Sequence, residues 1–223
     1  MSSSALKETD PLDIDEAIEC IEKSFGIQFI ESDLKTIKTF GEFCELVNKK
    51  TNSHDMQDCT TQQTFYKLRH ACELLPLNLS ETISPKTELK IVFPKNQRKD
   101  LINKFQEKLG LNLDILHPPE YLEVALLISI LVGFVLLFFT FKIGLAIFLS
   151  SYIGLYIAKK LGNNFRIVTF GDLANKVKNE NYTRFRSTPH TTNKHEVQDT
   201  VKQIFCTKLG LKSEDLNDEA SFV

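Results

Sequence analysis

The sequence predicts a mainly α-helical chain in which a membrane-spanning helical hairpin lies between soluble helical segments. Two long apolar runs, separated by the single charge of Lys142, indicate the hairpin. Apolar side chains that recur every three or four residues indicate amphipathic helices on both sides of it. These patterns divide the chain into helical segments at 1–52 and 53–117, a hairpin at 118–160, a basic helix with a linker at 161–194 and a final segment at 195–223.

The hairpin is predicted to consist of helices at about 122–141 and 143–159. No charged residue lies between Val124 and Phe141, and this run is long enough to cross a hydrocarbon core, which needs about 20 apolar residues. The second run is slightly shorter, and Lys159 and Lys160 can extend it by placing their ammonium groups among the lipid headgroups. A buried hairpin of a soluble domain is the alternative, but such helices normally keep a polar face.

Small residues could let the two helices of the hairpin approach closely. Ser129 and Gly133 on the first helix, and Ser150 and Gly154 on the second, have the small-xxx-small spacing of membrane helix pairs.

The lysine and arginine residues beside the hairpin predict its orientation. Lys142 alone stands in the turn, whereas Lys159, Lys160 and Arg166 follow the second helix. The positive-inside rule then places both termini in the cytoplasm. We therefore expect a multi-pass protein of the cytoplasmic (inner) membrane that contacts the lipid bilayer. The five cysteines, odd in number and without a C-x-x-C pair, agree by predicting buried, reduced thiols.

The net charge of −2 conceals a strong asymmetry along the chain. Residues 1–33 contain nine acidic residues against two lysines, whereas residues 159–212 contain eleven basic residues against four acidic ones. Anionic lipid would attract a basic segment that directly follows the membrane. Nucleic acid is a less favoured ligand, because no recognisable nucleic-acid-binding motif accompanies the charge.

Helices and short repeats account for much of the remaining sequence. Residues 179–194 are polar and contain a proline, so they are predicted to be a linker. Helices are predicted at about 13–23, 40–49, 61–75, 96–109, 169–178 and 196–209. TFGEFCELV at 39–47 recurs as TFGDLANKV at 169–177, and KLGLNLDIL at 108–116 recurs as KLGLKSEDL at 208–216. Shared helix-capping and helix-stop signals are the alternative explanation of both repeats.

The two ends of the chain together resemble an acyl carrier protein. EVQDTVKQIFCTKLGLKSEDLNDEASFV at Glu196–Val223 resembles the first helix of that family and the loop after it. DPLDIDEAIECIEKSFGIQFIESDLKTIKTFGEFCELV at Asp10–Val47 resembles the remaining helices, so the order is inverted. The resemblance implies carrier-like helical segments that form one permuted bundle, complete one another between chains, or join separate partners. The overall organisation also resembles that of bacterial membrane proteins without an assigned activity.

The chain departs from the carrier family at the residue that holds the cofactor. Carrier proteins bear phosphopantetheine on the serine of an Asp-Ser-Leu triplet, and the matching triplet here is Asp10-Pro11-Leu12. Proline has no hydroxyl group to esterify, although it suits the first turn of a helix. No cofactor is therefore expected. Ser213 lies in the segment that resembles the first-helix loop, so it is not expected to substitute.

The hairpin and the resemblance together predict a non-enzymatic, membrane-anchored binding or scaffold protein. Carrier proteins meet their enzymes through an acidic second helix, so the expected partner is a protein, for example an enzyme of acyl or lipid metabolism, and complementary charge raises encounter rates. The expected docking residues for that protein partner are Asp13, Asp15, Glu16, Glu19 and Glu22.

The alternative is a regulatory membrane protein whose basic juxtamembrane segment binds anionic lipid or nucleic acid. The sequence predicts no oligomeric state.

Catalysis is the least favoured function. The histidines, among them His54 near Asp58 and His70 near Cys72, lack a recognised ligand or Cys–His spacing. No phosphate-binding glycine loop, G-x-S-x-G or H-E-x-x-H motif is present. The sequence therefore predicts no metal site and no catalytic residue.

Overall fold

The protein is mainly helical, as the sequence predicts. A computed structural model describes residues 6–51, 54–77, 82–188 and 191–222, which form eleven α-helices and four two-residue strands. The helices are α1 (Pro11–Phe25), α2 (Glu31–Leu34), α3 (Phe40–Thr51), α4 (Thr60–Glu73), α5 (Leu89–Val92), α6 (Arg98–Leu109), α7 (Glu120–Leu136), α8 (Phe141–Leu161), α9 (Phe170–Glu180), α10 (Tyr182–Phe185) and α11 (Lys194–Leu209).

The chain divides into two compact units. The first combines Met1–His70 with Leu173–Val223, and the second is Ala71–Asp172. Strand β1 (His54–Asp55) pairs in parallel with β4 (Thr191–Thr192) in the first unit. Strand β2 (Leu116–His117) pairs antiparallel with β3 (Asn164–Phe165) in the second.

Helices from the two ends of the chain share one core in the first unit. The apolar face of α11 packs against α1 and α3, and the Phe205 ring centroid lies 5.6 Å from that of Phe40 and 5.5 Å from that of Phe43. Ala17 and Ile21 of α1 are buried in the same cluster. In the structure the two terminal segments therefore pack against each other within one chain.

A segment at the end of the chain holds the start of α3. Residues 217–222, the C-terminal strap, run beside it, and the Phe40 amide donates to the Ala220 carbonyl oxygen at 2.8 Å. The Gly41 amide likewise donates to the Asp218 carbonyl oxygen at 3.0 Å. A Cβ on Gly41 would lie 3.0 Å from that oxygen, so glycine permits this close approach.

The second TFG sequence receives its own strap in the second unit. The Phe170 amide donates to the Thr87 carbonyl oxygen at 2.9 Å, and the Gly171 amide to the Pro85 carbonyl oxygen at 2.8 Å. Residues 84–89 therefore contact α9 with the backbone pattern that residues 217–222 use on α3. Helix-capping chemistry does not require this pairing, so the similarity of the two TFG sequences extends to structure.

The KLGL sequence of the second repeat ends α6, where Gly110 lies in the left-handed region. A side-chain hydrogen bond across this glycine resembles one at the end of α1. In α1 the Glu22 carboxylate accepts from the Phe29 amide at 2.6 Å; in α6 the Gln106 side-chain amide donates to the Leu113 carbonyl oxygen at 3.0 Å. Both side chains reach seven residues ahead across a glycine stop.

The predicted hairpin is an antiparallel pair of helices, α7 and α8, whose bounds differ from the prediction. The first helix ends at Leu136 rather than 141, and Lys142 lies in the first turn of α8 rather than in the connection. Of the described helices, α8 is the one long and apolar enough, by length and composition, to cross a membrane. Helix α7 has 17 residues.

The predicted contact between small residues is correct for Gly133 and wrong for Ser150. A Cβ on Gly133 would lie 2.7 Å from the Phe148 amide nitrogen. Ser150 is exposed, and its hydroxyl donates to the Ile147 carbonyl oxygen at 3.1 Å. The small buried residues of α8 are instead Gly144, Ser151 and Ala158. They recur every seven residues, the heptad spacing that keeps one face of a helix against its partner.

The predicted linker at 179–194 is wrong, because much of this segment is packed. Tyr182 in α10 is fully buried, and its ring centroid lies 4.8 Å from that of Phe25. Arg186 is also buried, within a polar cluster described below. The high polarity of the segment reflects internal ion pairing as well as exposure to solvent.

Candidate functional site

The start of α1 contains the triplet in which proline stands at the carrier family's serine position. Asp10 is the N-cap, and its carboxylate accepts a hydrogen bond from the Leu12 amide at 2.9 Å. Pro11 is the first helical residue, where a missing N–H costs nothing. This local geometry therefore begins the helix without any hydroxyl group.

The acidic residues of α1 are not equivalent. Asp13, Asp15, Glu16 and Glu19 are exposed. Glu22 is half-buried, and its carboxylate accepts from the Phe29 amide, so it stabilises the end of its own helix. Four of the five predicted docking residues are therefore open to a partner.

An apolar side chain that sequence reasoning missed lies among these acids. Leu12 is 75% exposed, and at helical spacing it shares a face with Glu16 and Glu19. Asp15 borders the same face, which we call the Leu12 face (Leu12, Asp15, Glu16, Glu19). The sequence does indicate this exposure, because Leu12 falls outside the helical spacing of the buried apolar residues of α1.

Two lysines moderate the charge of the Leu12 face. Lys208 of α11 lies 2.6 Å from the Glu16 carboxylate, and this hydrogen bond raises the pKa of the lysine. Lys23 is exposed one helical turn beyond Glu19. Within the described part of the chain, Asp15 and Glu19 have no ion-pair partner, so they contribute most of the available negative charge.

The predicted membrane-anchor flanks differ in their contacts. Lys142 is exposed in the first turn of α8, and Lys159 and Lys160 are exposed in its last turn. Arg166 is exposed as well, but it pairs with Glu123 of α7 at 2.6 Å. Tyr121, beside that pair in sequence, is 78% exposed.

Asp58, which lies near His54 in the sequence, belongs to a buried ionic cluster. The Arg186 side chain is 1% exposed and pairs with Asp58. Its Nη1 also donates to the Thr60 hydroxyl at 2.9 Å and lies 3.8 Å from the Glu196 carboxylate. The cluster joins α4, α11 and the segment after α10, so its evident role is structural.

Glu196 caps α4 from a distant part of the chain. Its carboxylate accepts from the Thr60 amide at 2.9 Å and the Thr61 amide at 3.3 Å. Burial acts to raise the pKa of this carboxyl, but the hydrogen bonds from Thr60, Thr61 and Cys59 outweigh it and lower the pKa. The fold therefore favours the ionised form of Glu196.

Part of the basic segment at 159–212 is unavailable to a ligand. Lys178 is buried, and burial lowers the pKa of its ammonium group. Arg186 is enclosed by the cluster above, and Lys176 pairs with Glu180 at 2.6 Å.

The cysteines are buried less uniformly than the sequence predicts. Cys44 and Cys72 are buried, and burial raises the pKa of each thiol to about 12. Cys20 and Cys206 are half-buried, whereas Cys59 is exposed. Among the described residues, no cluster of three or more His, Cys, Asp or Glu side chains has the geometry to hold a metal ion, and His190 lies outside those residues.

Comparison with known proteins returns no match. No family model matches the chain, and neither a curated protein nor a solved structure does so.

Proposed function

We propose that this chain is a non-enzymatic, membrane-anchored binding or scaffold protein that docks a basic protein partner through the Leu12 face. The observation that carries the proposal is the exposure of Leu12 among Asp15, Glu16 and Glu19, directly after Pro11. An apolar side chain ringed by acids suits an interface in which charge steers the encounter and apolar burial adds affinity.

The resemblance to acyl carrier proteins suggests the class of partner. In that family the second helix docks enzymes, so an enzyme of acyl or lipid metabolism with a basic surface is the proposed partner. The packing of α11 against α1 and α3 supports a permuted carrier-like bundle. With Pro11 in place of serine, the bundle would bind such an enzyme without carrying an acyl group.

The proposed anchor is the α7–α8 hairpin, crossing the inner membrane twice with both termini in the cytoplasm. Support comes from the apolar exposed surface of both helices, including Leu131 and Ile153, and from the exposed Lys159 and Lys160 at one end. Lys142→Cys, in a chain whose five native cysteines are replaced, tests the topology with a membrane-impermeant thiol reagent in inverted and right-side-out vesicles. The proposal predicts labelling from the periplasmic side; labelling from the cytoplasmic side would refute two crossings.

Charge reversal tests the docking proposal. Asp15→Lys with Glu19→Lys removes the two unpaired acids and leaves the Glu16–Lys208 pair intact. In membrane extracts we expect the double variant to lose the protein that cross-links to the wild type. We also expect capture of that protein by the wild type to weaken as salt is added. Glu45→Lys, at an exposed site on α3, is the matched control. Equal capture by both variants would reject the Leu12 face.

The alternative is a regulatory membrane protein whose basic segment binds anionic lipid or nucleic acid. The exposed Lys159 and Lys160 favour lipid, whereas burial of Lys178 and Arg186 leaves fewer charges for either ligand. Full-length protein should then bind anionic vesicles or DNA with a steep salt dependence that Lys159→Gln and Lys160→Gln reduce.

A further inference from the structure

Arg98 is a buried cation held in a fixed orientation at the start of α6. It is 7% exposed, and its Nε donates to the Phe93 carbonyl oxygen at 2.9 Å. Its Nη1 donates to the Asn163 carbonyl oxygen at 2.5 Å, and the guanidinium carbon lies 4.4 Å from the centre of the Phe165 ring. These contacts orient the guanidinium but bring no negative charge to it.

The described carboxylates leave Arg98 without a counter-ion. In the part of the second unit that the structure describes, the ion pairs are Lys90–Glu88, Lys104–Asp100 and Arg166–Glu123. A buried charge without a partner is costly, and burial accordingly lowers the pKa of Arg98. A bound anion would offset that cost.

An open cleft of about 460 Å³ provides access to Arg98. Besides Arg98 it is lined by His117 and Asn164, which are paired across the β2–β3 ladder. The other charged lining residues are Arg166, Glu120 and the Lys90–Glu88 pair, in which the carboxylate of Glu88 already has a cation. Glu120 is exposed, so solvent screens its charge more than that of the buried Arg98. A phosphate group is a suitable ligand, because a guanidinium donates to phosphate oxygens in a fork geometry.

A second, apolar cleft shares one lining residue with the first. It measures about 350 Å³ and is lined by residues of both hairpin helices, including Leu122, Leu126, Gly154 and Ala158. Pro118 lines both clefts. A molecule with an anionic head and an apolar tail therefore matches the chemistry of the two neighbouring clefts.

We propose that Arg98 binds the phosphate group of an anionic glycerophospholipid whose acyl chain lies in the apolar cleft between α7 and α8. The inference rests on the proposed membrane position of the hairpin, but it is independent of the Leu12 face. Inorganic phosphate or a soluble phosphate ester would share the headgroup chemistry and make no use of the apolar cleft.

Lipid retention by the full-length protein in mild detergent tests the proposal. Native mass spectrometry would compare phosphatidylglycerol with phosphatidylcholine of the same acyl chains, and with inorganic phosphate alone. We expect selective retention of one phosphatidylglycerol, weakened about 10- to 100-fold by Arg98→Met, since a charge-assisted pair is lost. Equal retention of both lipids, or unchanged retention by a folded Arg98→Met variant, would overturn the site.

Two further variants keep the test decisive if Arg98→Met fails to fold. Glu120→Lys changes an exposed residue at the cleft and should tighten phosphatidylglycerol binding several-fold at low salt. Leu126→Trp fills the apolar cleft and should weaken lipid binding without affecting inorganic phosphate. If phosphate competes fully with lipid and Leu126→Trp has no effect, the ligand is a soluble phosphate and the lipid assignment is wrong.

The outcomes separate this inference from the proposed function. Failure of the chain to resist carbonate extraction from membranes would refute the anchor on which both depend. A wild-type chain that stays in the membrane and captures its partner, yet retains both lipids equally, would refute the lipid site alone.

Discussion

The Phe40 amide donates a hydrogen bond to the Ala220 carbonyl oxygen at 2.8 Å, although one residue lies near the start of the chain and the other near its end. The long-range contacts of the first unit repeat this relationship, since α11 covers the apolar faces of α1 and α3. The stability of the N-terminal helices should therefore depend on residues of the C-terminal segment.

Phe205→Ala should destabilise the first unit by about 3–5 kcal/mol, because it removes a fully buried ring from between Phe40 and Phe43. Hydrogen exchange measures the effect locally, and amides of α1 and α3 should lose protection together with those of α11. His195→Ala, at an exposed site on α11, is the control. Unchanged protection of α1 and α3 in Phe205→Ala would contradict the shared core.

Pro11→Ser should create an Asp-Ser-Leu triplet at the start of α1. If the bundle is carrier-like, coexpression with a phosphopantetheinyl transferase should add the mass of phosphopantetheine to this variant, but not to the wild type or to Pro11→Ala. Intact mass spectrometry provides the measurement. A folded Pro11→Ser chain that stays unmodified would count against the resemblance, and a modified wild type would reject the loss of the cofactor site.

Gly133→Ala should force α7 and α8 apart, because the new Cβ would lie 2.7 Å from the Phe148 amide nitrogen. Overpacking of this kind costs about 1–3 kcal/mol. Gly154→Ala is the matched control, since its Cβ would meet only the Leu126 side chain, at 3.2 Å. Thermal unfolding in detergent should rank Gly133→Ala below Gly154→Ala; the reverse order would show that the helices pack differently.

Glu196→Gln should change how stability depends on pH. The folded chain lowers the pKa of Glu196, so its carboxylate stabilises the first unit above the ordinary glutamate pKa of about 4.3, and this contribution is lost as the pH falls through the lower folded value. At neutral pH we expect the variant to lose about 1.5–3 kcal/mol.

Urea unfolding of both proteins between neutral and acidic pH measures the difference, which should shrink as the pH falls. Glu45→Gln, at an exposed position, should show no such convergence. A gap between the wild type and Glu196→Gln that grows towards acidic pH would contradict the sign of the shift.

Sequence reasoning succeeded where the signals are local. The capping box at Thr39 and Glu42 and the glycine stops after α6 and α11 depend on neighbouring residues, so those ends were located within about two residues. Which face of a helix packs against its neighbour does not depend on local sequence alone. Ser150 and Ser151 are adjacent, and only the position of α7 determines which one is buried.

The sequence does not predict the buried ionic cluster around Arg186 for a related reason. Asp58 and Arg186 lie far apart in the sequence, and each alone is typical of a solvated surface. The segment around Arg186 was therefore predicted to be a linker. Glu22 shows the same limit at the candidate site, because its contact with the Phe29 amide depends on the glycine turn that folds the chain back.

The shared core also determines when the apolar faces of α1 and α3 become covered during synthesis on the ribosome. Helices α1 and α3 emerge first, but α11, which covers Ala17, Ile21 and Phe40, emerges only after the hairpin. At about 5–20 residues per second, translation from residue 51 to residue 194 takes roughly 7–30 s. Throughout that interval the nascent N-terminal segment displays an uncovered apolar face, so chaperone protection should matter most while the hairpin is being synthesised.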